Sequence, residues 1–219
     1  MKALNLHKIF FLSLLLFCIA CTNNQNKRST NANENQVSDS TATSGISTAL
    51  VDTLPGSIEE IQKAYARISN QLQDGVLDST SFTYNCMDEK SGNVSYFSLK
   101  GNLRMIVHRF NEYDHHEASA YYYVMDSTLF FVYTHTLTWS FESGPEGSTK
   151  DNITEHRVYF IDREPVKCLE KKYVIRSQLP NNPSSESIPN DEINCSSISV
   201  VEGFQNLLKY RYKATTGCL

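Results

Sequence analysis

The chain has 219 residues, 24 acidic against 20 basic side chains, and a formal net charge of −4. A protein that binds nucleic acid needs a basic face, so this charge balance argues against a nucleic-acid partner. The length suits one ordinary domain whose apolar core does not depend on disulfides or metals for its stability.

The N-terminus has the pattern of a lipoprotein leader. Two lysines precede an apolar run over 9–17, and Ala20 stands directly before Cys21. A basic start, a short apolar core and a small residue before the cleavage point are typical of a secretory signal peptide. We therefore expect residues 1–20 to be removed and Cys21 to carry lipid, which would attach the protein to a membrane. An ordinary secretory signal and a retained anchor are the alternatives, although a transmembrane span needs about 20 apolar residues.

Residues 21–54 are predicted to form a disordered tether. They are rich in Asn, Ser, Thr and Gln and have no aromatic side chain, so they cannot bury enough apolar surface to offset chain entropy. The globular domain then covers 55–219. No acidic run follows Cys21, and we therefore expect the anchored domain on the periplasmic face of the outer membrane rather than on the cell surface.

The first element of the domain is a predicted amphipathic helix. Ser57 and Glu60 match a capping box, in which each side chain bonds to a free backbone N–H of the first turn. Gly75 is suited to end the helix in the left-handed conformation. The apolar positions share one face, which we expect to cover a β-sheet; they are Ile58, Ile61, Tyr65, Ile68 and Leu72.

A series of short strands separated by turn residues follows the helix. A second capping box, Ser199 to Glu202, opens a closing helix to about Lys213. The order of helix, antiparallel meander and helix predicts an α+β fold. Polar loops are expected over 142–152 and 179–194. The predicted strands cover 82–86, 94–99, 103–110, 119–125, 129–141, 154–161, 166–169 and 173–175.

The longest predicted strand, 129–141, alternates between two faces because successive side chains point to opposite sides. The face that begins with Leu129 stays largely apolar to the end of the strand, whereas the face that begins with Phe130 turns polar from Thr134 onward. Such an apolar run on an open edge would promote aggregation, so we expect this strand inside the sheet.

Two segments of the predicted sheet, 121–132 and 155–160, carry a family resemblance. They resemble uncharacterised lipoproteins of Bacteroidota-type bacteria, in which a Tyr-Tyr-Phe strand, a tight turn and a Leu-Phe-Val-Phe strand precede a Glu-Asn-Arg-Tyr-Tyr-Phe strand. The resemblance covers about 100–172 and implies an antiparallel sheet, but no activity. The chain departs from the pattern at 126–128 and 162–164, where that family usually has a glycine and a lysine.

Five histidines are the candidates for a metal or catalytic site. His115 and His116 lie among carboxylates in a predicted loop, and imidazole and carboxylate both bind zinc and copper. His108, His135 and His156 lie on predicted strands and could converge if those strands are neighbours. A site holding the three would titrate near neutral pH or bind a metal. The alternatives are a solvated loop for the first pair and separate core histidines for the trio.

The sequence contains no nucleophile turn, phosphate-binding loop, dinucleotide fingerprint or zinc-protease motif. Five carboxylates could form a paired acid and base only in the general sense that any sheet rim carries such side chains. They are Glu142, Glu146, Glu155, Asp162 and Glu164. We therefore expect no catalytic residues and no cofactor. The alternative is a hydrolase or metal-dependent enzyme whose site contains the strand histidines.

Four cysteines remain once the leader and Cys21 are set aside: Cys86, Cys168, Cys195 and Cys218. An even number in an oxidising compartment predicts disulfides. Three pairings are possible. We favour Cys195 with Cys218, which would clamp the last helix, and Cys86 with Cys168 across the sheet. No Cys-x-x-Cys spacing is present, so redox catalysis is not indicated.

Twelve tyrosines and eleven phenylalanines are many for this length, and Tyr121, Tyr122 and Tyr123 place hydroxylated rings on both faces of a strand. Exposed tyrosines give large contact areas at low entropy cost, so they could bind a glycan, a peptide or another envelope protein. Packing between strands is the other explanation. We predict a lipid-anchored, non-catalytic binding or structural module of the cell envelope.

Overall fold

The computed structural model describes residues 53–219. The predicted leader 1–20, the predicted lipidation site Cys21 and nearly all of the predicted tether lie outside the described residues. Within residues 53–219, no helix has the length and apolar character that a membrane span requires.

Eight antiparallel strands form one sheet in which each strand pairs with its neighbours in sequence, from β1 at one edge to β8 at the other. Within residues 53–219, one α-helix precedes the sheet and one follows it, so this domain is mostly β and fits the α+β class in the broad sense. Short turns between consecutive strands produce this simple order. The elements are α1 (Ile58–Gln73), β1 (Asp78–Cys86), β2 (Lys90–Leu99), β3 (Asn102–Glu112), β4 (His116–Met125), β5 (Thr128–Phe141), β6 (Thr149–Ile161), β7 (Glu164–Arg176), β8 (Asp191–Ile193) and α2 (Ile198–Lys209).

Both ends of α1 are closed by local sequence signals. Glu60 N donates to Ser57 Oγ at 3.2 Å, while the Glu60 carboxylate accepts from Gly56 N at 2.7 Å. At the other end, Gly75 has a φ of 68°, and Val76 N donates to a carbonyl of the last turn. This Schellman arrangement satisfies carbonyls that the helix leaves free.

Several strands are longer than predicted, the segments 166–169 and 173–175 form the single strand β7, and α2 ends at Lys209 rather than near Lys213. Three further differences change an expected loop or cap. β6 begins at Thr149, inside the expected loop 142–152, because its polar residues continue the hydrogen-bonded ladder with β5. β8 pairs with β7 inside the expected loop 179–194. α2 begins at Ile198, and the side chain of its N-cap residue, Ser197, makes no capping hydrogen bond. The capping box predicted at Ser199 does not form, because Ser199 already lies inside the helix.

The two faces of the sheet have separate cores, and we name each face after the helix that packs on it. On the α1 face, Ile61 packs in one cluster with Met105 and Phe131. On the α2 face, Phe204 stacks on Tyr122 with ring centroids 5.9 Å apart. The buried positions of the helices face the sheet, where their burial stabilises the fold; they are Ile61, Ala64 and Ile68 on α1 and Phe204 and Leu207 on α2. Of the apolar positions predicted to cover the sheet, Tyr65 and Leu72 are instead exposed.

A β-bulge between β4 and β5 changes the alternation predicted for 129–141. Tyr123 pairs with Phe131 but Val124 pairs with Leu129, which leaves Phe130 as an extra residue. Phe130 and Phe131 both lie in the core of the α1 face, and Leu129 lies in that of the α2 face. The prediction that Leu129 shares a face with Phe131 is therefore wrong, whereas the central position of β5 is confirmed.

The four cysteines form two disulfides, but not in the pairing favoured from the sequence. Cys86 is bonded to Cys218, and Cys168 to Cys195. Cys86 ends β1 and Cys168 lies on β7, six strands away, which at about 4.8 Å per strand separates them by about 29 Å. β8 instead brings Cys195 beside β7, and the C-terminal segment returns to β1.

Candidate functional site

The three strand histidines do not converge on one site. His108 and His156 lie in the same row of the α2 face, with Ala120 and Thr134 between them. Three strand spacings, about 14 Å, therefore separate these two histidines. His135 follows Thr134 on β5 and so points to the α1 face. Strand order and alternation together rule out the predicted shared site.

His108 is a core residue of the α2 face. It is 8% exposed, its Nε2 lies 2.9 Å from the Tyr84 hydroxyl oxygen, and its ring stacks on Phe110 at 4.6 Å. Burial, helped by the nearby charge of Lys90, lowers the pKa of His108 to about 4, because the charged imidazole loses hydration. His108 is therefore neutral near pH 7 and serves the fold.

His156 has a partner of its own. Its Nε2 lies 2.8 Å from a carboxylate oxygen of Glu170, whose other oxygen accepts from Lys172 Nζ at 2.7 Å. All three side chains are partly exposed. The cluster is a surface ion-pair network on β6 and β7, which contributes little to stability.

His115 and His116 are also separated from each other. The His115 ring packs on Trp139 with centroids 4.0 Å apart, and His116 Nδ1 lies 3.9 Å from a Glu112 carboxylate oxygen. In the part of the chain that the structure describes, no three His, Cys, Asp or Glu side chains are placed to hold a metal ion together. The histidine-rich turn therefore has no metal geometry.

A cavity on the α1 face brings together residues that the sequence did not mark as a site. Its volume is about 520 Å³, within the range of about 300–1,000 Å³ typical of small-molecule sites. β5 and β6 form its floor, α1 forms one wall, and the 3-10 turn Ser185–Ser187 contributes another. We call this cavity the α1-face pocket.

The lining of the α1-face pocket combines aromatic rings with polar groups. Phe131 and Tyr159 are buried in its floor, whereas Gln62, Tyr65 and Glu186 are exposed at its rim. The remaining lining residues are Ile61, Tyr133, Glu155, Arg157 and Ser185. The pocket is therefore apolar near α1 and polar near the 3-10 turn.

Glu155 is the centre of a buried polar network in the floor. It is 2% exposed and accepts hydrogen bonds from Tyr173 Oη at 3.1 Å, Ser185 Oγ at 2.5 Å and Arg157 Nη2 at 2.9 Å. Burial by itself would raise the pKa of Glu155, but the bonds from Ser185, Arg157 and Tyr173 outweigh it and lower the pKa. Glu155 is therefore ionised, and both of its oxygens are engaged.

Two cations complete this network. The Arg157 guanidinium lies over the Tyr133 ring, 4.9 Å from its centroid. Lys171 is the cross-strand partner of Glu155, is 6% exposed, and donates to the Ser185 carbonyl at 2.7 Å. A buried anion and a buried cation thus both hold Ser185, and this fixes one wall of the pocket.

Aromatic contacts extend from the pocket across the α1 face. Tyr133 stacks on Tyr121 with centroids 5.7 Å apart, and the Arg109 guanidinium lies 5.6 Å from the Tyr121 centroid. Of the three consecutive tyrosines, Tyr122 and Tyr123 are buried on opposite faces and Tyr121 is partly exposed. Packing therefore accounts for two of them, while Tyr121 continues the accessible surface beside the pocket.

The arrangement suits binding better than acid–base chemistry. A general acid or base needs a proton-transfer atom within reach of a substrate, whereas both oxygens of Glu155 accept bonds from the protein. Burial and the charge of Glu155 raise the pKa of Tyr133, so its hydroxyl stays protonated. The pocket offers rings, hydrogen-bonding groups and a rigid frame.

Sequence reasoning placed Glu155 only among rim carboxylates and did not single out Arg157 or Lys171. A signal was nevertheless present, because Ile153, Glu155, Arg157 and Tyr159 occupy alternate positions of β6 and share one face. Charged residues at positions flanked by buried apolar ones mark a buried polar site. That Glu155 itself is buried depends on the neighbouring strands and the 3-10 turn, which the sequence does not reveal.

Comparisons of this chain with protein-family models, with curated proteins and with solved structures gave no match. The chemistry of the α1-face pocket therefore has to follow from its own residues.

Proposed function

We propose that the protein is a lipid-anchored module of the bacterial cell envelope that binds a small ligand in the α1-face pocket without transforming it. The observation that carries this function is a preformed cavity of about 520 Å³ whose wall is fixed by buried hydrogen bonds. Ligand sites typically combine aromatic lining with a few oriented polar groups. The predicted lipid on Cys21 would hold the domain at the periplasmic face of the outer membrane.

The energetics of the network support a binding role. Buried ions are seldom more stabilising than apolar side chains of the same volume, because desolvation offsets their attraction. Glu155 and Lys171 are nonetheless 2% and 6% exposed. Their common partner Ser185 lines the pocket, so the geometry of the pocket gives a reason for keeping charges there.

Membrane attachment is tested by fractionating bacteria that produce the full chain or its Cys21→Ala variant. We expect the parent protein in the membrane fraction, with acyl mass on the peptide that begins at Cys21, and the variant in the soluble fraction. Absence of acyl mass from the N-terminal peptide of the parent protein would contradict lipid anchoring through Cys21.

Ligand binding is tested by thermal shift on the detergent-solubilised full chain against soluble amino acids, nucleosides, aromatic acids and sugars. The variant Gln62→Trp places an indole at the pocket rim, and Gln73→Trp places the same group at an exposed position of α1 outside the pocket. We expect a compound that stabilises the parent and Gln73→Trp but not Gln62→Trp. If no compound discriminates between the two variants, the pocket is not a ligand site.

A further inference from the structure

We infer that the α1-face pocket binds an uncharged sugar ring, with Tyr65 as the stacking surface and Arg157, Gln62 and Glu186 as the groups that bind its hydroxyls. This inference rests on the proposed function and names the ligand class of the same site.

Tyr65 provides a positioned aromatic surface at the pocket mouth. It is 41% exposed, yet its ring meets Tyr123 and Phe131 edge-on, with centroids 5.1 and 5.4 Å away. These contacts hold the ring, so little additional ordering is needed when a ligand binds. The face of an aromatic ring is electronegative and attracts the positively polarised C–H groups that a sugar presents.

The polar groups of the pocket include both donors and acceptors. Arg157 uses Nη2 for Glu155 and Nη1 for Asn190, and a guanidinium has five N–H groups in all. Gln62 offers an amide that donates and accepts, and the Glu186 carboxylate accepts. Sugar hydroxyls also donate and accept, so they can pair with both kinds of group in the pocket. An apolar ligand would instead leave these polar groups desolvated and without hydrogen bonds.

The charges disfavour ionic ligands. Glu186 forms no ion pair among residues 53–219, so an acidic sugar would meet an unneutralised carboxylate. A cationic ligand would find the face of the Tyr133 ring already occupied by Arg157, which also pairs with Glu155. A neutral polyhydroxylated ring needs neither charge, and Glu186 becomes the residue that distinguishes neutral from acidic sugars.

Calorimetric titration of the detergent-solubilised full chain tests the inference, with D-glucose, N-acetyl-D-glucosamine, cellobiose, chitobiose, D-glucuronic acid and tetramethylammonium as probes. We expect at least one neutral probe to bind about tenfold more tightly than glucuronic acid. A disaccharide that binds more tightly than its monosaccharide would identify the end of a glycan chain as the source. Equal binding of the two would identify a free sugar.

Variants connect the titration to the pocket. Tyr65→Ala should weaken the neutral probe by about tenfold, while Tyr65→Phe, which keeps the ring, should stay within about threefold. Tyr212→Ala removes a ring that is 86% exposed elsewhere and should have no effect. Glu186→Gln should reduce the preference against glucuronic acid. Gln62→Ala, at an exposed helix position, should also weaken binding, which covers the case in which Tyr65→Ala disturbs the fold.

Tighter binding of glucuronic acid or tetramethylammonium than of every neutral probe would overturn the sugar assignment. If no sugar binds but an amino acid, nucleoside or aromatic acid binds in a Tyr65-dependent way, the sugar assignment is overturned while the binding function stays intact. If neither the sugars nor the amino acids, nucleosides and aromatic acids bind, both proposals are overturned.

Discussion

The two faces of the sheet differ in what their interiors contain. The α2 face carries an apolar cluster that includes Cys168 and Leu219, and its buried histidine, His108, is neutral. The cavities on this face are smaller than the α1-face pocket, about 200 and 270 Å³. The α1 face has an apolar cluster beneath α1, and beside it lie the buried ions Glu155 and Lys171 and an open pocket. Both apolar clusters stabilise the domain, and the α1 face in addition keeps buried charges that stability alone does not require.

The largest effect should come from opening a disulfide of the α2 face. The Cys86–Cys218 bond spans a sequence separation of 132, so Cys86→Ser with Cys218→Ser should lower the free energy of unfolding by about 5 kcal/mol. The Cys168–Cys195 bond spans a sequence separation of 27, and replacing both cysteines by alanine should lower the free energy of unfolding by about 3.5 kcal/mol. Urea unfolding measures both losses.

None of these cysteines lines the α1-face pocket. Ligand affinity measured where the variants remain folded should therefore be unchanged. A loss of affinity that accompanies either disulfide variant would show that the two faces are not independent.

A large but local effect is expected from Glu155→Gln on the α1 face. The change leaves Arg157 and Lys171 near a neutral amide. Breaking a buried ion pair costs about 3–5 kcal/mol, and because the Arg157 side chain is 23% exposed the loss should lie at the lower end, about 3 kcal/mol. Ligand binding should fall as well, because Ser185 loses its anionic partner. Urea unfolding and titration with a bound probe measure the two effects.

The matched control for Glu155→Gln is Glu170→Gln, whose carboxylate contacts partly exposed His156 and Lys172. A surface pair contributes about 1 kcal/mol or less, so this variant should retain both stability and binding. Equal losses in the two variants would mean that the buried network has no special role.

The pH dependence should distinguish the faces at a smaller scale. The folded-state pKa of His108, about 4, lies below its ordinary value of 6.5, so between these values the unfolded chain binds a proton that the folded chain lacks. Stability therefore falls as pH falls through this window, by about 2 kcal/mol between about pH 7.5 and about pH 5. Glu155 has a lowered pKa, so its stabilising contribution is present above its ordinary range and is lost only at more acidic pH.

Urea midpoints across this pH range test the assignment to His108. His108→Gln should flatten the decline, whereas Tyr84→Phe should keep it, because burial rather than the Tyr84 hydroxyl is the main cause of the pKa shift. An unchanged slope in His108→Gln would refute the assignment.

The smallest effect concerns the turns, which belong to neither face. Asp126 and Ser127 have φ values of 47° and 61°, in the left-handed region that costs a non-glycine residue about 1 kcal/mol. Ser127→Gly should raise stability by up to about 1 kcal/mol. Gly101→Ser, at a φ of 82° with open space around its Cβ, should lower stability by a similar amount. Thermal unfolding of both variants measures the pair, and loss of stability in Ser127→Gly would contradict this account.

The elements that were predictable are those whose cause is local. The start of α1 after Ser57, its end at Gly75 and the central placement of β5 follow from a capping pattern, a glycine and an apolar run. The predictions failed where pairing with a distant segment determines the local structure. Leu129 changes faces because of a bulge against β4, and the polar start of β6 at Thr149 is a strand because β5 supplies its hydrogen bonds.

The antiparallel meander, the helices at its two ends and the four cysteines available for disulfides could be read from the chain, because period-two alternation, turns and caps act over a few residues. Which groups meet depends on how distant segments are brought together. Cys86 meets Cys218 because the C-terminal segment returns to β1, and Glu155 meets Ser185, 30 residues away, because the segment after β7 folds back over the sheet. Such contacts depend on strand order and chain return, and they place the candidate site where no local motif marks it.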